Sequence, residues 1–305
     1  MVERRRVGWL RTGESLRKRR GGRAGLVRYL RRPALERSIV VAAFEGWNDA
    51  GEAASTAAAH LARCWSATPV AEIDAEEFFD FTEVRPDVAL TQGGAGREIL
   101  WPSTSVSVAL APSGGRDVVF LRGHEPQLRW QGYCAVVAEV ARALRAEHVV
   151  TLGAYLSEVT HDRPVPVNAA SSQPGRLESL GLSTSQYEGP TGIVGVLGLS
   201  LPAVGIPTTS IWASVPCYSL PVSAKAALAL VRVVSTVTGR AVETGELEEQ
   251  ATEYERHMDE LVAEDEGVAA YVARLEEMQE FVGSELSAEG LTEEIERFLR
   301  DKRRS

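Results

Sequence analysis

The stretch that most constrains the fold is Ser38–Phe44, where small and apolar residues follow one another without polar alternation. A strand of this kind is covered on both faces, as strands in the middle of a parallel sheet are. Similar runs occur at Pro69–Asp74, Asp117–Leu121, His148–Gly153 and Thr208–Val215, and helical patterns of roughly fifteen to twenty residues separate them. The alternation predicts an α/β fold with Ser38–Phe44 as a central strand.

The segment between Glu83 and Leu110 does not follow this alternation. Its candidate strands, Arg97–Trp101 and Ser105–Leu110, are short, and the turn-forming run Gly93–Gly96 precedes them. Short strands joined by tight turns are typical of antiparallel pairing. We therefore expect antiparallel strands inserted into the parallel order, which makes the sheet mixed but mainly parallel.

Several residues mark helix starts. Pro126, Pro190 and Pro221 each stand where a proline at the first helical position is expected. Asp49 precedes Glu52 by three residues, which approximates a capping box for a helix that follows the first strand. The pattern predicts that Asp49 is the N-cap of that helix and Glu52 its third residue.

The chain divides into three segments by charge. Residues 1–32 carry twelve Arg or Lys against two Glu, residues 33–242 have a net charge of −6, and residues 243–305 carry seven Arg or Lys against twenty Asp or Glu. We expect a basic N-terminal extension without fixed structure at 1–32, an α/β domain at 33–242 and an acidic helical hairpin domain at 243–305. Nucleic acid is not the expected partner of the extension, because only Trp9 and Tyr29 could stack on bases.

The acidic segment contains apolar residues at helical spacing. One set recurs at alternating steps of four and three residues, which marks a helix-pairing seam: Leu247, Ala251, Tyr254, Met258 and Leu261. A second set predicts the other helix of a hairpin: Val268, Tyr271 or Val272, Leu275, Met278 and Val282. A third short helix carries Leu291, Ile295 and Phe298. These stripes either fold onto the protein itself, the preferred interpretation, or bind a partner.

Composition bounds the class of protein. The 305-residue chain has 44% hydrophobic and 25% charged residues, enough apolar material for a sizeable core. The longest apolar stretch, Ile193–Ile206, contains Pro202 and is shorter than the roughly twenty residues of a membrane helix. The cysteines Cys64, Cys134 and Cys217 form no CxxC pair, which suits a reducing cytosol. We expect a cytoplasmic protein without a membrane partner.

The motifs of several enzyme classes are missing from the sequence. There is no GxSxG elbow, no GK[ST] phosphate loop and no GxGxxG after the first strand. The five histidines are scattered and predict no metal cluster. We therefore expect neither a metal nor a cofactor, and the sequence does not identify a catalytic residue.

Polar residues follow the predicted parallel strands, at the edge where open α/β sheets bind ligands. The rim candidates are Glu45, Trp47, Asn48, Asp49, Arg122, Glu125 and Tyr155. Glu45 and Asp49 could bind a hydroxyl or act as a base, or they could serve structure alone, with Asp49 as a cap and Glu45 paired to Arg122. His161, further along the chain, is expected to be a surface histidine.

The segment Tyr187–Gly198 carries four glycines three residues apart. Two explanations remain open. The loop formed by Glu188, Gly189, Thr191 and Gly192 could cradle a phosphate, with the Thr191 hydroxyl as a donor. Alternatively, the glycines could form a smooth face that lets a helix and the sheet approach closely. We expect this glycine-spaced corner to meet the Trp47–Asp49 corner along one edge of the core.

Three segments of the sequence resemble a known family. Phe44–Ala50, Tyr187–Gly195 and Gly205–Pro216 are similar to the proteasome-assembly-chaperone-two family in its actinobacterial branch, and the likeness spans roughly Pro33 to Arg303. It implies a three-layer αβα sandwich related to the nucleoside phosphorylase fold, followed by a small C-terminal α-helical domain. The likeness also implies self-association into a homo-oligomer, and a role in proteasome assembly for the family's eukaryotic and archaeal members.

Two features depart from this family's pattern. The last residues, Asp301–Ser305, lack the hydrophobic-Tyr-any ending by which archaeal relatives dock on proteasomes, so docking through that tail is not expected. Cys217 stands where the actinobacterial branch typically has histidine, which weakens an acid–base or metal role for that position.

Two functions follow as hypotheses. The first is a non-enzymatic assembly or scaffold factor that resembles proteasome assembly chaperones and binds a protein partner through its acidic helical domain. The second is a nucleoside- or nucleotide-binding enzyme of the phosphorylase or hydrolase type, which the fold relationship and the polar rim suggest. Fold alone does not decide between them.

Overall fold

The computed structural model describes residues 25–91, 96–111 and 115–278. Its strands are β1 Val27–Tyr29, β2 Ser38–Glu45, β3 Thr68–Ile73, β4 Asp87–Leu90, β5 Arg97–Leu100, β6 Thr104–Ala109, β7 Asp117–His124, β8 Ala146–Ser157, β9 Val167–Ser171, β10 Ser183–Thr184 and β11 Thr208–Pro216. Its helices are α1 Ala53–Cys64, α2 Trp130–Ala143, α3 Arg176–Leu180, α4 Ile193–Ala203, α5 Ala224–Thr238 and α6 Gly245–Glu264. Residues 266–278 are also helical.

Nine strands form one mixed sheet in the order β1-β3-β6-β7-β2-β8-β11-β9-β10. The four central strands are parallel, because β2 pairs with β7 and β8, and β8 pairs with β11, all in the same direction. On one side β6, β3 and β1 add in antiparallel fashion, and on the other β9 pairs antiparallel with β11. The prediction of Ser38–Phe44 as a central strand of a mixed sheet is confirmed.

The side chains of β2 explain why this strand lies at the centre. Ile39, Val41 and Ala43 point into a core shared with α1, α5 and α6, whereas Val40, Ala42 and Phe44 point into a second core shared with α2 and α4. Successive side chains of a strand face opposite sides, so an apolar run without alternation needs cover on both. The result is the predicted sandwich of helices, sheet and helices.

The segment between Glu83 and Leu110 is only partly as expected. β6 joins the main sheet antiparallel to β7, but β4 and β5 pair with each other in a separate two-stranded sheet. We call β4 and β5, Asp87–Leu90 and Arg97–Leu100, the ribbon. The expectation that all these short strands enter the main sheet is therefore wrong for the ribbon, and the turn residues 92–95 lie outside the described part of the chain.

The N-terminal segment also contributes to the sheet. Val27–Tyr29 form β1 and pair with β3, and Arg28 forms an ion pair with Glu72. These residues lie within the stretch 1–32 that the charge pattern assigned to an extension without structure, so this expectation is wrong for residues 27–29. Backbone pairing with β3 gives them fixed positions, and residues 1–24 lie outside the described part.

The first acidic helix packs on the main body. Leu247, Ala251, Tyr254 and Met258 are buried and belong to the same hydrophobic cluster as α5. The apolar seam of α6 therefore folds onto the protein itself. In the next helical stretch, Val272 and Leu275 are also buried. The helical hairpin domain and the boundary at residue 242 stay predictions, and Leu291, Ile295 and Phe298 lie outside the described residues.

A buried histidine joins α6 to the body. His161 is 5% exposed, and its Nδ1 lies 2.8 Å from the Tyr218 hydroxyl while its Nε2 lies 3.0 Å from Asp259 Oδ1 of α6. The Tyr218 ring also packs edge-on against Tyr271, which belongs to the helical stretch after α6. The expectation of a surface histidine is wrong, because residues distant in sequence cover it.

The predicted helix starts are displaced. α2, α4 and α5 begin at Trp130, Ile193 and Ala224, three or four residues after the prolines expected to open them. In the described ranges, none of the helices is both long enough and apolar enough to cross a lipid bilayer.

The burial of α6 leads to a first prediction. Met258→Ala should lower the free energy of unfolding by about 2–5 kcal/mol, because it leaves a cavity under a fully buried side chain between α6 and α5. Glu249→Ala, on the exposed face of the same helix, is the control and should change it by less than about 0.5 kcal/mol. Urea unfolding followed by circular dichroism measures both, and equal small effects would show that α6 does not stabilise the body.

Candidate functional site

The candidate residues lie where the parallel strands β2, β7 and β8 end. Glu45 is the last residue of β2 and lies beside His124, the last residue of β7, with Glu45 Oε2 3.2 Å from His124 Nδ1. Asp49 continues the edge by a parallel bridge to Ala154 of β8, and the Ala154 N–H donates to the Asn48 carbonyl at 2.8 Å. The three strand ends thus bring most of the polar rim to one edge.

Glu125 is the central residue of this edge. Its backbone N–H donates to the Glu45 carbonyl at 2.8 Å. Its Oε1 accepts a hydrogen bond from Asn48 Nδ2 at 2.6 Å and another from the backbone N–H of Ile193 at 2.7 Å. Ile193 is the first residue of α4, so the carboxylate lies at a helix N-terminus, where negative charge is favoured. One side chain therefore joins β7, the Trp47–Asp49 corner and the glycine-spaced corner.

Gly192 is required by this contact. A Cβ at Gly192 would lie 2.2 Å from Asn48 Nδ2 and 2.4 Å from Glu125 Oε1, much closer than real atoms approach. A Cβ at Gly198 would similarly lie 2.5 Å from the Ser210 hydroxyl of β11. Of the two explanations left open for the glycine spacing, these contacts support close approach of helix and sheet.

Asp49 is 7% exposed and holds the start of α1. Its Oδ1 accepts from the backbone N–H groups of Ala54 at 2.7 Å and Ser55 at 3.1 Å. The capping box expected with Glu52 is wrong, because Glu52 has a left-handed backbone (φ 48°) and immediately precedes the helix. Burial raises the pKa of the Asp49 carboxyl from 3.8 to about 6, although the hydrogen bonds from Ser55 and Ala54 oppose this shift and nearby Glu45 adds to it.

Arg122 and Glu45 lie on the α1 side of the sheet. Arg122 has the same strand parity as Val118 and Phe120, which face the core of α1 and α5. Its Nε is buried without a hydrogen-bond partner, and burial lowers the pKa of the guanidinium while Glu45 opposes this. The expected pairing of Glu45 with Arg122 thus exists as an electrostatic interaction, whereas the direct contact of Glu45 is with His124.

The other rim candidates are more exposed. The Tyr155 hydroxyl accepts hydrogen bonds from Asn168 Nδ2 at 2.7 Å and from the Ser214 hydroxyl at 3.0 Å. Trp47 is 63% exposed, and Glu188, Gly189 and Thr191 are exposed in the loop before α4. The Thr191 hydroxyl lies over the backbone of Gly195, one turn into the helix.

Sequence reasoning missed the apolar members of this edge. Tyr187 is 66% exposed next to the glycine corner, and Leu156 is 58% exposed beside Tyr155. Leu156 follows the predicted strand His148–Gly153, and Tyr187 begins the glycine-spaced segment; these positions were the available signal. Trp47, which precedes Asn48, is also exposed. We call Trp47, Leu156 and Tyr187 the apolar rim.

The geometry limits what chemistry this edge can hold. Within residues 25–91, 96–111 and 115–278, no three His, Cys, Asp or Glu side chains come together as metal ligands. A small cavity with room for about one water molecule lies away from this edge, between β11, α5 and α6. The residues that line it include His161, Ser214, Lys225 and Tyr254.

Comparison with known proteins finds a family match. Residues 43–262 match the model of the PAC2 family. The structure is similar to that of a PAC2 family protein from Streptomyces avermitilis, at 44% identity and a TM-score of 0.72, over 78% of this chain and 100% of that one. It is also similar to a proteasome-assembly chaperone homologue from Mycobacterium tuberculosis, at 43% identity and a TM-score of 0.70, over 77% and 99% of the two chains.

A more distant likeness concerns the fold alone. The archaeal proteasome activator PbaB from Pyrococcus furiosus is 19% identical, with a TM-score of 0.64, over 77% of this chain and 97% of that one. No protein with a curated description matches the sequence.

The contact at Gly192 gives a second prediction. Gly192→Ala should lower the free energy of unfolding by about 1–3 kcal/mol, because the added methyl displaces Asn48 or Glu125. Gly245→Ala is the matched control, since a Cβ there meets nothing within 4 Å. Chemical unfolding of both variants measures the difference. A Gly192→Ala protein as stable as the Gly245→Ala protein would contradict the close packing of the two corners.

The Asp49 carboxyl gives a third prediction. Its pKa of about 6 in the folded protein exceeds the ordinary 3.8, so the folded state binds this proton more tightly than the unfolded state does. Stability from this group is therefore full at low pH and is lost as the pH rises through about 6. Between pH 4 and pH 7, the wild type should lose about 2 kcal/mol relative to Asp49→Asn, which keeps an acceptor for Ala54 and Ser55.

Urea unfolding of the wild type and Asp49→Asn at pH 4, 5, 6 and 7 checks this difference. Because the other titrating groups are common to both proteins, they cancel in the comparison. Curves that run parallel over the whole range would show that Asp49 titrates at its ordinary pKa.

Proposed function

Since the chain belongs to the PAC2 family, we propose that it is a non-enzymatic assembly or scaffold factor that resembles the proteasome assembly chaperones. The proposed partners are proteasome subunits, bound in the cytoplasm by a homo-oligomer of this chain. The homologue from Mycobacterium tuberculosis is described as a proteasome-assembly chaperone homologue, and the three cysteines of this chain are all free, which fits a reducing compartment.

The observation that carries this proposal is that the chain's own donors hold the candidate acid–base groups. Asp49 accepts hydrogen bonds from the first turn of α1, and Glu45 lies against His124. Glu125, another candidate of the rim, accepts from Asn48 and from the start of α4. A helix N-terminus that already holds a protein carboxylate offers less to a phosphate. The three side chains of the apolar rim are exposed instead, and Trp and Tyr are among the residues that dominate protein interfaces.

A second surface suits a basic partner. From Glu243 to Met278 the chain has thirteen Asp or Glu against two Arg. Leu247, Ala251, Tyr254 and Met258 turn one side of α6 toward the body. Some acidic residues pair with the body, namely Glu246, Glu248, Glu255 and Asp259. Others, including Glu249 and Glu264, lie on the exposed outer face. We call this the acidic face. Clustered charge of one sign attracts an oppositely charged protein and raises the rate of encounter.

Reconstitution of the proteasome core from its separate subunits tests the proposal. Addition of this protein should increase the yield of assembled particles on native gels, with formation of a complex with the subunits. Glu249→Lys combined with Glu264→Lys on the acidic face should weaken that complex about tenfold, because the reversed charges repel a basic partner. Higher salt should weaken the wild-type complex as well.

A matched control separates position from total charge. Glu36→Lys combined with Glu178→Lys changes the net charge by the same amount at exposed positions of the main body, and this variant should bind as the wild type does. Equal binding by both double variants would remove the acidic face from the proposal. A nucleoside or nucleotide that raises the melting temperature of the wild type but not of Asp49→Asn would instead favour an enzyme.

A further inference from the structure

The ribbon stands apart from the main sheet and exposes an apolar stripe. Val88 pairs with Ile99 and Leu90 with Arg97, so these four side chains share one face of the ribbon. Trp101 follows Ile99 with the same parity. Val88 is 64% exposed, Leu90 63%, Ile99 50% and Trp101 49%. We call Val88, Leu90, Ile99 and Trp101 the ribbon stripe.

Such a stripe is unusual for a surface that stays in water. A two-stranded hairpin is at best marginally stable alone, and it needs a third strand or a packed face to persist. Trp101 connects the ribbon to the body: its ring centroid lies 5.0 Å from that of Phe81, and Phe81 packs against the core of α2 and α4. Its remaining apolar face has the composition of a contact surface, since contiguous exposed apolar patches mark interaction sites.

The charges around the stripe indicate what covers it. Between Arg85 and Trp101 the chain carries two arginines, Arg85 and Arg97, and two acids, Asp87 and Glu98. The local net charge is therefore zero, although the whole chain has a net charge of −9. Two copies of an acidic protein repel each other over most of their surfaces, and the ribbon is a place where they can approach without that cost. A basic partner would be attracted to the acidic face more strongly than to the ribbon stripe.

We propose that the ribbon stripe is the self-association surface of this protein, covered by a second copy of the same chain. The inference rests on the homo-oligomer included in the proposed function and assigns its interface. A second copy that packs on the stripe supplies the contacts that a two-stranded hairpin lacks. This partner is available wherever the protein itself is present. The hydrophobic stripe forms the centre of the contact, and the balanced charges surround it.

Sedimentation over a range of concentrations tests this assignment. The wild type should have a molar mass that is a multiple of the 33.0 kDa of one chain. Val88→Glu combined with Ile99→Glu should raise the dissociation constant about tenfold or more, because it places unpaired carboxylates in the contact. Both positions are exposed in the single chain, so circular dichroism and the melting temperature measured at a concentration where both proteins are monomeric should be unchanged.

Leu199→Glu combined with Val204→Glu is the matched control, because these residues are also exposed and apolar but lie at α4. This variant should keep the wild-type mass. A ribbon variant with the wild-type mass, a control that dissociates equally, or a wild type that stays at 33.0 kDa would each overturn the assignment.

The proteasome reconstitution separates the two proposals. A monomeric ribbon variant that still binds subunits would leave the proposed function and the interface both intact. A ribbon variant that keeps the wild-type mass while the wild type binds subunits would overturn the interface alone. An oligomeric wild type that binds no subunits, with a ribbon variant that dissociates, would support the interface and remove the proposed partner.

Discussion

The Glu125 carboxylate is the contact on which the arrangement of this edge depends. It accepts hydrogen bonds from Asn48 of the corner after β2 and from Ile193 at the start of α4, while its own backbone continues the pairing of β7 with β2. Three segments far apart in sequence are therefore joined through one carboxylate side chain. A hydrogen bond to an ionised acceptor is stronger than one between neutral groups, and the helix dipole adds to it. The same contact places a protein carboxylate at the N-terminus of α4, which makes this helix start less favourable for another anion.

The centre of the fold was predictable because its signal is local. An apolar run without alternation, such as Ser38–Phe44, has to be covered on both faces, and parallel strands linked by helices are the common way to achieve this. The flanks were less predictable. The pattern of β4 and β5 identifies short strands, but nothing in their period says whether they pair with the main sheet or with each other. The burial of His161 was not predicted for the same reason, because it depends on contacts that are distant in sequence. Its partners Tyr218 and Asp259 are 57 and 98 residues away.

The candidate site also combines features that the sequence predicts with features that only the structure shows. The sequence named Asp49 as the N-cap of α1, which is wrong because the left-handed Glu52 is the N-cap. Asp49 still binds the first turn of the helix, since its Oδ1 accepts from Ala54 and Ser55. The glycine spacing left two explanations open, and only the position of Asn48 and Glu125 against Gly192 distinguishes them. Sequence spacing shows that a glycine is needed. The side-chain atoms that leave no room for a Cβ at Gly192 belong to Asn48 and Glu125, in other segments of the chain. Only the structure shows that contact.

The acidic face and the ribbon stripe have opposite electrostatic characters, and this contrast gives the two surfaces different roles. Charge on the acidic face acts over about a Debye length, roughly 8–10 Å at ordinary ionic strength, and orients a basic partner before contact. The ribbon stripe acts only at contact, because it is apolar and the chain segment Arg85–Trp101 that carries it has no net charge. Self-association through the stripe would repeat the acidic face once per chain. Several weak sites on one particle bind a multisubunit partner far more tightly than one site does, provided that their spacing allows simultaneous contact. An assembly factor of this kind would therefore gain its affinity from its own oligomerisation, without a deep binding pocket on any single chain.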